Sequence, residues 1–161
     1  MILFTYYITD QYGRPYAGFI NICDEMIPAT RNDEEWERDV IIMTHQMNHV
    51  MIFSRSLWEL FVDYDISQVL DTNDPMGDGH DYVISPKVAE VAKDHFNCSS
   101  LVGLPLDASS SHWNQRLLQS SAMSAELWSS EQYVSIFTFA LMEDSGWYYV
   151  NYQYAKPFKW G

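Results

Sequence analysis

The chain has 161 residues, 47% of them hydrophobic and 16% aromatic, which suits one domain with a genuine core and excludes a disordered chain. Nine basic against 22 acidic side chains give a formal charge of −13, which repels phosphate backbones and argues against any nucleic-acid partner. No apolar run approaches the ~20 residues needed to span a bilayer, and MILFTYYITD at the start lacks the basic opening and small-residue cleavage site of a signal peptide.

Ile2 to Ile8 is a continuous apolar and aromatic run and reads as a buried strand. Tyr12-Gly13-Arg14-Pro15 has turn chemistry, and GFINIC, Gly18 to Cys23, reads as a second strand. A strong helix start follows. Asn32 can cap, Glu35 stands three residues later as in a capping box, and Asp33 and Glu34 favour the positive end of the helix dipole. The helical pattern runs to about Phe53, with Val40, Ile41, Thr44, His45, Asn48, His49 and Ile52 on one side. Leu57 to Val62 reads as a short packed segment.

Residues 63–84, rich in Asp, Gly and Pro, read as a loop. Ser85-Pro86 opens a second helix that runs to about Phe96, with serine as cap and proline in the first turn. Residues 99–129 carry many serines and little periodicity, and are expected to form a long irregular segment of the kind that usually has a function. A third helix is expected from about Ser130 to Glu143, closed by Asp144-Ser145-Gly146. The aromatic end, WYYVNYQYAKPFKWG, is expected to pack back as extended chain. Cys23 and Cys98 can pair or serve as two small core residues.

The chemistry concentrates in MTHQMNHVMIFS, Met43 to Ser54. His45 and His49 sit one helical turn apart and can share a metal. Two histidines at that spacing also occur by chance in many helices. This pair, however, lies on the apolar side, where an unpartnered imidazole is costly to bury. His112 lies in the irregular segment, where a loop can bring it to the pair. Three protein ligands plus a water is the usual catalytic zinc arrangement.

The ordered set of residues resembles the leishmanolysin-type metallopeptidases, a branch of the metzincins. That family carries HExxH on a helix, a third zinc histidine after a long insertion, and a methionine turn beneath the metal. The matching residues are His45 and His49, His112 in SHWNQR, and Met123 in SSAMSA. Gly13-Arg14-Pro15 with Gly18 and Asn21 is similar to the family's edge strand. Ser85-Pro86-Lys87-Val88 with HFNCSSLVGLPL is similar to its central segment, and LMEDSGWY, Leu141 to Tyr148, to its closing helix and turn. His80 and His95 match no ligand position.

The resemblance implies a single, truncated metzincin-like α+β domain over residues 1–161. A small sheet and the active-site helix form an upper part, residues 1–62. A helical and irregular lower part, residues 63–161, brings the third ligand, methionine turn and closing helix, with the metal in the cleft between the parts. It further implies Zn2+ on His45, His49 and His112, Met123 beneath them, and a peptide or protein bound in extended form. Secreted or cell-surface location is typical of the family.

Two positions depart from the pattern. Gln46 stands where the family has the general-base glutamate, and an amide has no basic oxygen to accept a proton from water. Ile52 stands where the family has glycine, so the helix is expected to continue and to shift the approach of the third ligand. The expected function is therefore that of a zinc endopeptidase with activity reduced or lost. The alternative is a non-catalytic zinc-binding module for peptide binding or adhesion.

Overall fold

A computed structural model describes residues 5–22, 30, 32–126 and 132–156. The architecture is α+β: a hairpin laid on a long helix, then a core of short helices and a small sheet. Strands β1 (Thr5–Thr9) and β2 (Pro15–Ile20) pair antiparallel, Thr5 opposite Ile20. The turn between them is organised by Asp10, whose Oδ1 accepts from the backbone N–H of Tyr12 and Arg14. The second strand begins and ends earlier than its apolar run suggests, because Pro15 to Ala17 already pair with β1; Cys23 lies outside the described residues.

Helix α1 (Asp33–Met51) starts as its local chemistry dictates. Asn32 Oδ1 accepts from Glu35 N at 2.9 Å, and Glu35 Oε2 accepts from Asn32 N at 3.0 Å, closing the capping box. Its buried residues are Ile41, His45, Gln46 and Asn48, whereas Val40, expected on the same side, is exposed. The hairpin packs against α1.

The helix does not continue through Ile52. It ends at Met51, and Ile52 leaves it with φ −151°, on the negative side and outside the left-handed region that favours glycine. The N–H groups of Ile52 and Phe53 both bond the Asn48 carbonyl, at 2.8 and 2.7 Å. The Ile52 side chain is fully buried, and its carbonyl accepts from the Trp58 indole at 2.9 Å. Core packing thus makes the exit that glycine would make by conformational freedom.

Helix α2 (Arg55–Trp58) buries Leu57 and Trp58. The segment expected to be wholly irregular contains helix α3 (Ile66–Val69), strand β3 (Leu70–Asp71) and strand β4 (Tyr82–Val83). With β5 (Leu104–Pro105) these strands form a three-stranded antiparallel sheet in the order β3-β4-β5. Gly103 is required at its edge, because a Cβ there would lie 2.0 Å from the Val83 carbonyl oxygen. Beyond β5 the chain is held by single bridges, Leu106 with Trp113, Trp113 with Ser124 and Ser121 with Tyr133. The core joins Ile52, Phe53, Trp58, Val83, Leu104, Trp113, Met123, Phe137 and Leu141.

Helix α4 (Pro86–His95) has proline in its first turn, as expected, but Ser85 provides no side-chain cap. The cap comes from Asp144, whose carboxylate accepts from Lys87 N at 2.9 Å and Val88 N at 3.1 Å. Asp144 ends helix α5 (Ile136–Asp144), which starts at Ile136 rather than near Ser130 because Ser135 caps it by accepting from Thr138 N. Gly146, at φ +75°, closes it in the left-handed region. The aromatic end is not simply extended: Tyr152–Tyr154 forms a 3-10 turn, and Tyr148 donates to the Met51 carbonyl. Cys98 is a free, partly exposed thiol. Among the described residues, no helix is long and apolar enough to cross a membrane.

Asp144→Ala strips a buried cap from α4 and is expected to cost about 1–3 kcal/mol. Urea unfolding of the variant beside wild type measures it.

Candidate metal centre

Helix α1 presents His45 and His49 one turn apart, and the loop after β5 brings His112 to them. Each ring is held from behind at Nδ1. His45 donates to the Ala122 carbonyl at 2.6 Å. His49 donates to the Phe53 carbonyl at 2.8 Å, an acceptor placed by the exit at Ile52. His112 donates to Asp107 Oδ2 at 3.1 Å.

A carbonyl oxygen can only accept, so the Nδ1 atoms of His45 and His49 carry the proton, and a neutral ring then has a bare Nε2. Those bare nitrogens point at each other. His49 Nε2 lies 3.0 Å from His45 Nε2 and 3.3 Å from His112 Nε2. One ligand atom from each of the three residues fits within a span of 4.8 Å. Lone pairs at such distances repel unless something positive lies between them. A tetrahedral ion with ~2.1 Å bonds sets its nitrogens about 3.4 Å apart, so the donor set fits a divalent metal that favours imidazole.

The electrostatics agree. Burial first, and then the neighbouring His49, pushes His45 down to about 4 from the ordinary 6.5. Burial also lowers His49. Both are therefore neutral near pH 7, the form that binds metal. Burial alone would raise the Asp107 carboxyl, but hydrogen bonds from Ser109 and His112 outweigh it and hold the group below the usual carboxylate range.

Gln46 is buried beside His45 on the same helix. Met123 is fully buried and follows Ala122, the residue that holds His45. The two remaining histidines lie apart from the cluster. His80 is a loop residue whose Nε2 lies 3.2 Å from the Asn114 amide. His95 packs edge-on against Phe96 and Phe137, with ring centroids 4.7 and 5.3 Å away. Sequence reasoning missed the groups behind the three imidazoles: Asp107, Ala122 and Phe53. Only Asp107 left a signal, as an aspartate opening DASSSH, the start of an Asx turn.

A histidine pair on a helix, met by a third from a distant loop, is a set that could hold a metal ion. The sequence model of the leishmanolysin family matches residues 4–161, and the chain belongs to that family. It is 31% identical over 188 residues to a leishmanolysin-like peptidase of Drosophila melanogaster, an alignment covering 92% of this chain and 27% of the relative. It is 32% identical over 167 residues to a ciliated left-right organizer metallopeptidase of Danio rerio, covering 95% of this chain and 26% of the relative. The human ciliated left-right organizer metallopeptidase is 28% identical, over 94% of this chain and 21% of its own. The chain thus spans about a quarter of the length of these curated relatives.

The proton affinities carry a consequence for metal-free protein. His45 titrates at about 4 when folded and at 6.5 when unfolded, so the unfolded chain takes up the proton first. Stability is expected to fall as pH drops from 6.5 toward 4, by up to about 3 kcal/mol from this one group. Urea midpoints across that window test it, and His45→Gln should flatten the slope.

Proposed function

We propose that the chain binds Zn2+ through His45, His49 and His112 and is a peptidase relative with hydrolysis reduced or lost. The observation that carries this reading is the pairing of three convergent Nε2 atoms with an amide at Gln46. When bound, zinc supplies Lewis-acid polarisation of water and of a peptide carbonyl. The protein's share of the work is to aim the three Nε2 atoms inward, which the oxygens that accept from each Nδ1 do. Met123, buried next to Ala122, serves as the apolar floor of the site.

The missing part is the proton carrier. A glutamate at position 46 would take a proton from water and pass it to the leaving amine. Gln46 can orient water by donating and accepting hydrogen bonds, but it cannot take the proton. General acid–base catalysis contributes typically ~10²–10⁴-fold, so a loss of that order is expected. Metal affinity is unaffected, because Gln46 is not a ligand. What remains is a metal site in a peptidase scaffold, suited to holding an extended peptide or protein segment without cutting it.

Two measurements test this. Protein expressed with zinc should carry about one ion per chain, and His112→Ala should lose it. Peptide cleavage by Gln46→Glu should exceed that of wild type by ~10²-fold or more. Equal turnover by the two would overturn the loss of activity, and a metal content near zero would overturn the metal site.

A further inference from the structure

We infer that Asp107 is a positioning residue that selects the metal-ready tautomer of His112; this rests on the reading that the three imidazoles share a metal. Its two oxygens do different jobs. Oδ1 accepts from the backbone N–H of Ser109, Ser111 and His112, at 3.2, 3.2 and 3.3 Å, and so builds the loop. Oδ2 faces His112 Nδ1 at 3.1 Å. The Ser109 hydroxyl bonds both oxygens, at 2.8 and 2.9 Å, and fixes the plane of the carboxylate.

His45 and His49 rest on carbonyls that dictate their tautomer, but His112 has no carbonyl behind it. A proton on His112 Nε2 would allow a hydrogen bond to His49 Nε2, 3.3 Å away, and would block the third ligand. It would also turn the Nδ1 lone pair onto a carboxylate oxygen, lone pair against lone pair. The carboxylate therefore keeps the proton on Nδ1 and leaves Nε2 bare. Carboxylate–histidine–metal arrangements of this kind raise ligand basicity and fix ring orientation.

Asp107→Asn separates the two jobs. The three backbone donors hold the amide oxygen in the place of Oδ1, which forces the NH2 group against His112 Nδ1. That ring must then accept at Nδ1 and carry its proton on Nε2. The loop keeps its three backbone hydrogen bonds, and the Ser109 hydroxyl keeps the Oδ1 position as acceptor, while the ligand is disarmed.

The experiment is Co2+ titration by visible absorption of wild type and Asp107→Asn, with nitrogen NMR of the metal-free histidines. We expect His112 protonated at Nδ1 in wild type and at Nε2 in the variant. Cobalt affinity should fall about 10–100-fold, with the metal-free melting temperature little changed. Wild type that binds no cobalt would defeat the metal reading itself. Wild type that binds, with an equally tight Asp107→Asn variant, would defeat only the role of Asp107. Should the variant fail to fold, the wild-type spectrum decides: a proton on His112 Nε2 overturns the inference, and one on Nδ1 upholds it.

Discussion

The hydrogen bonds behind the imidazoles are the constraint on which this molecule depends. An imidazole is a useful ligand only when one nitrogen is bare and aimed, and aiming requires something on the opposite side of the ring. Here the three supports come from three different places: the stretch leading into Met123, the exit from α1, and the loop after β5. Much of the surrounding fold serves to bring those supports together. Trp113, next to His112, bonds the Met123 carbonyl through its backbone N–H and Thr138 through its indole. The third histidine is thereby anchored to both the methionine segment and α5.

The replacement of glycine by Ile52 shows how one geometric end can be met by different means. A glycine exit uses freedom of φ. The exit here uses burial, with the side chain sunk in the core and the carbonyl fixed by Trp58. The histidines converge all the same. The two departures from the family pattern therefore differ in kind. Ile52 is compensated by packing, whereas Gln46 changes the chemistry of a side chain, an amide in the position of a carboxylate.

What the sequence disclosed follows from the range of the interactions. Helix α1 was legible because its capping box is closed by Asn32 and Glu35 alone, and α4 because Pro86 marks its first turn. The His45, His49 and His112 set was legible through resemblance and helical spacing. The real cap of α4 was not, because Asp144 is 57 residues from Lys87. The start of α5 was misread because serine is a common cap and the stretch before Ile136 holds several; Ser135 is the one that accepts from Thr138 N, and Ser130 lies outside the described residues. Two-residue strands such as β3, β4 and β5 leave no period to read. Their existence depends on neighbours far along the chain.

The meeting of His49 with His112 joins positions 63 apart in sequence. A shared ion would act there as a clasp, closing a long loop in the unfolded chain as a disulfide does. By chain statistics a cross-link of that span removes entropy worth about 4 kcal/mol from the denatured ensemble. An ion on the three imidazoles would then serve whether or not peptide is cut, as a fastener between the first half of the chain and the second.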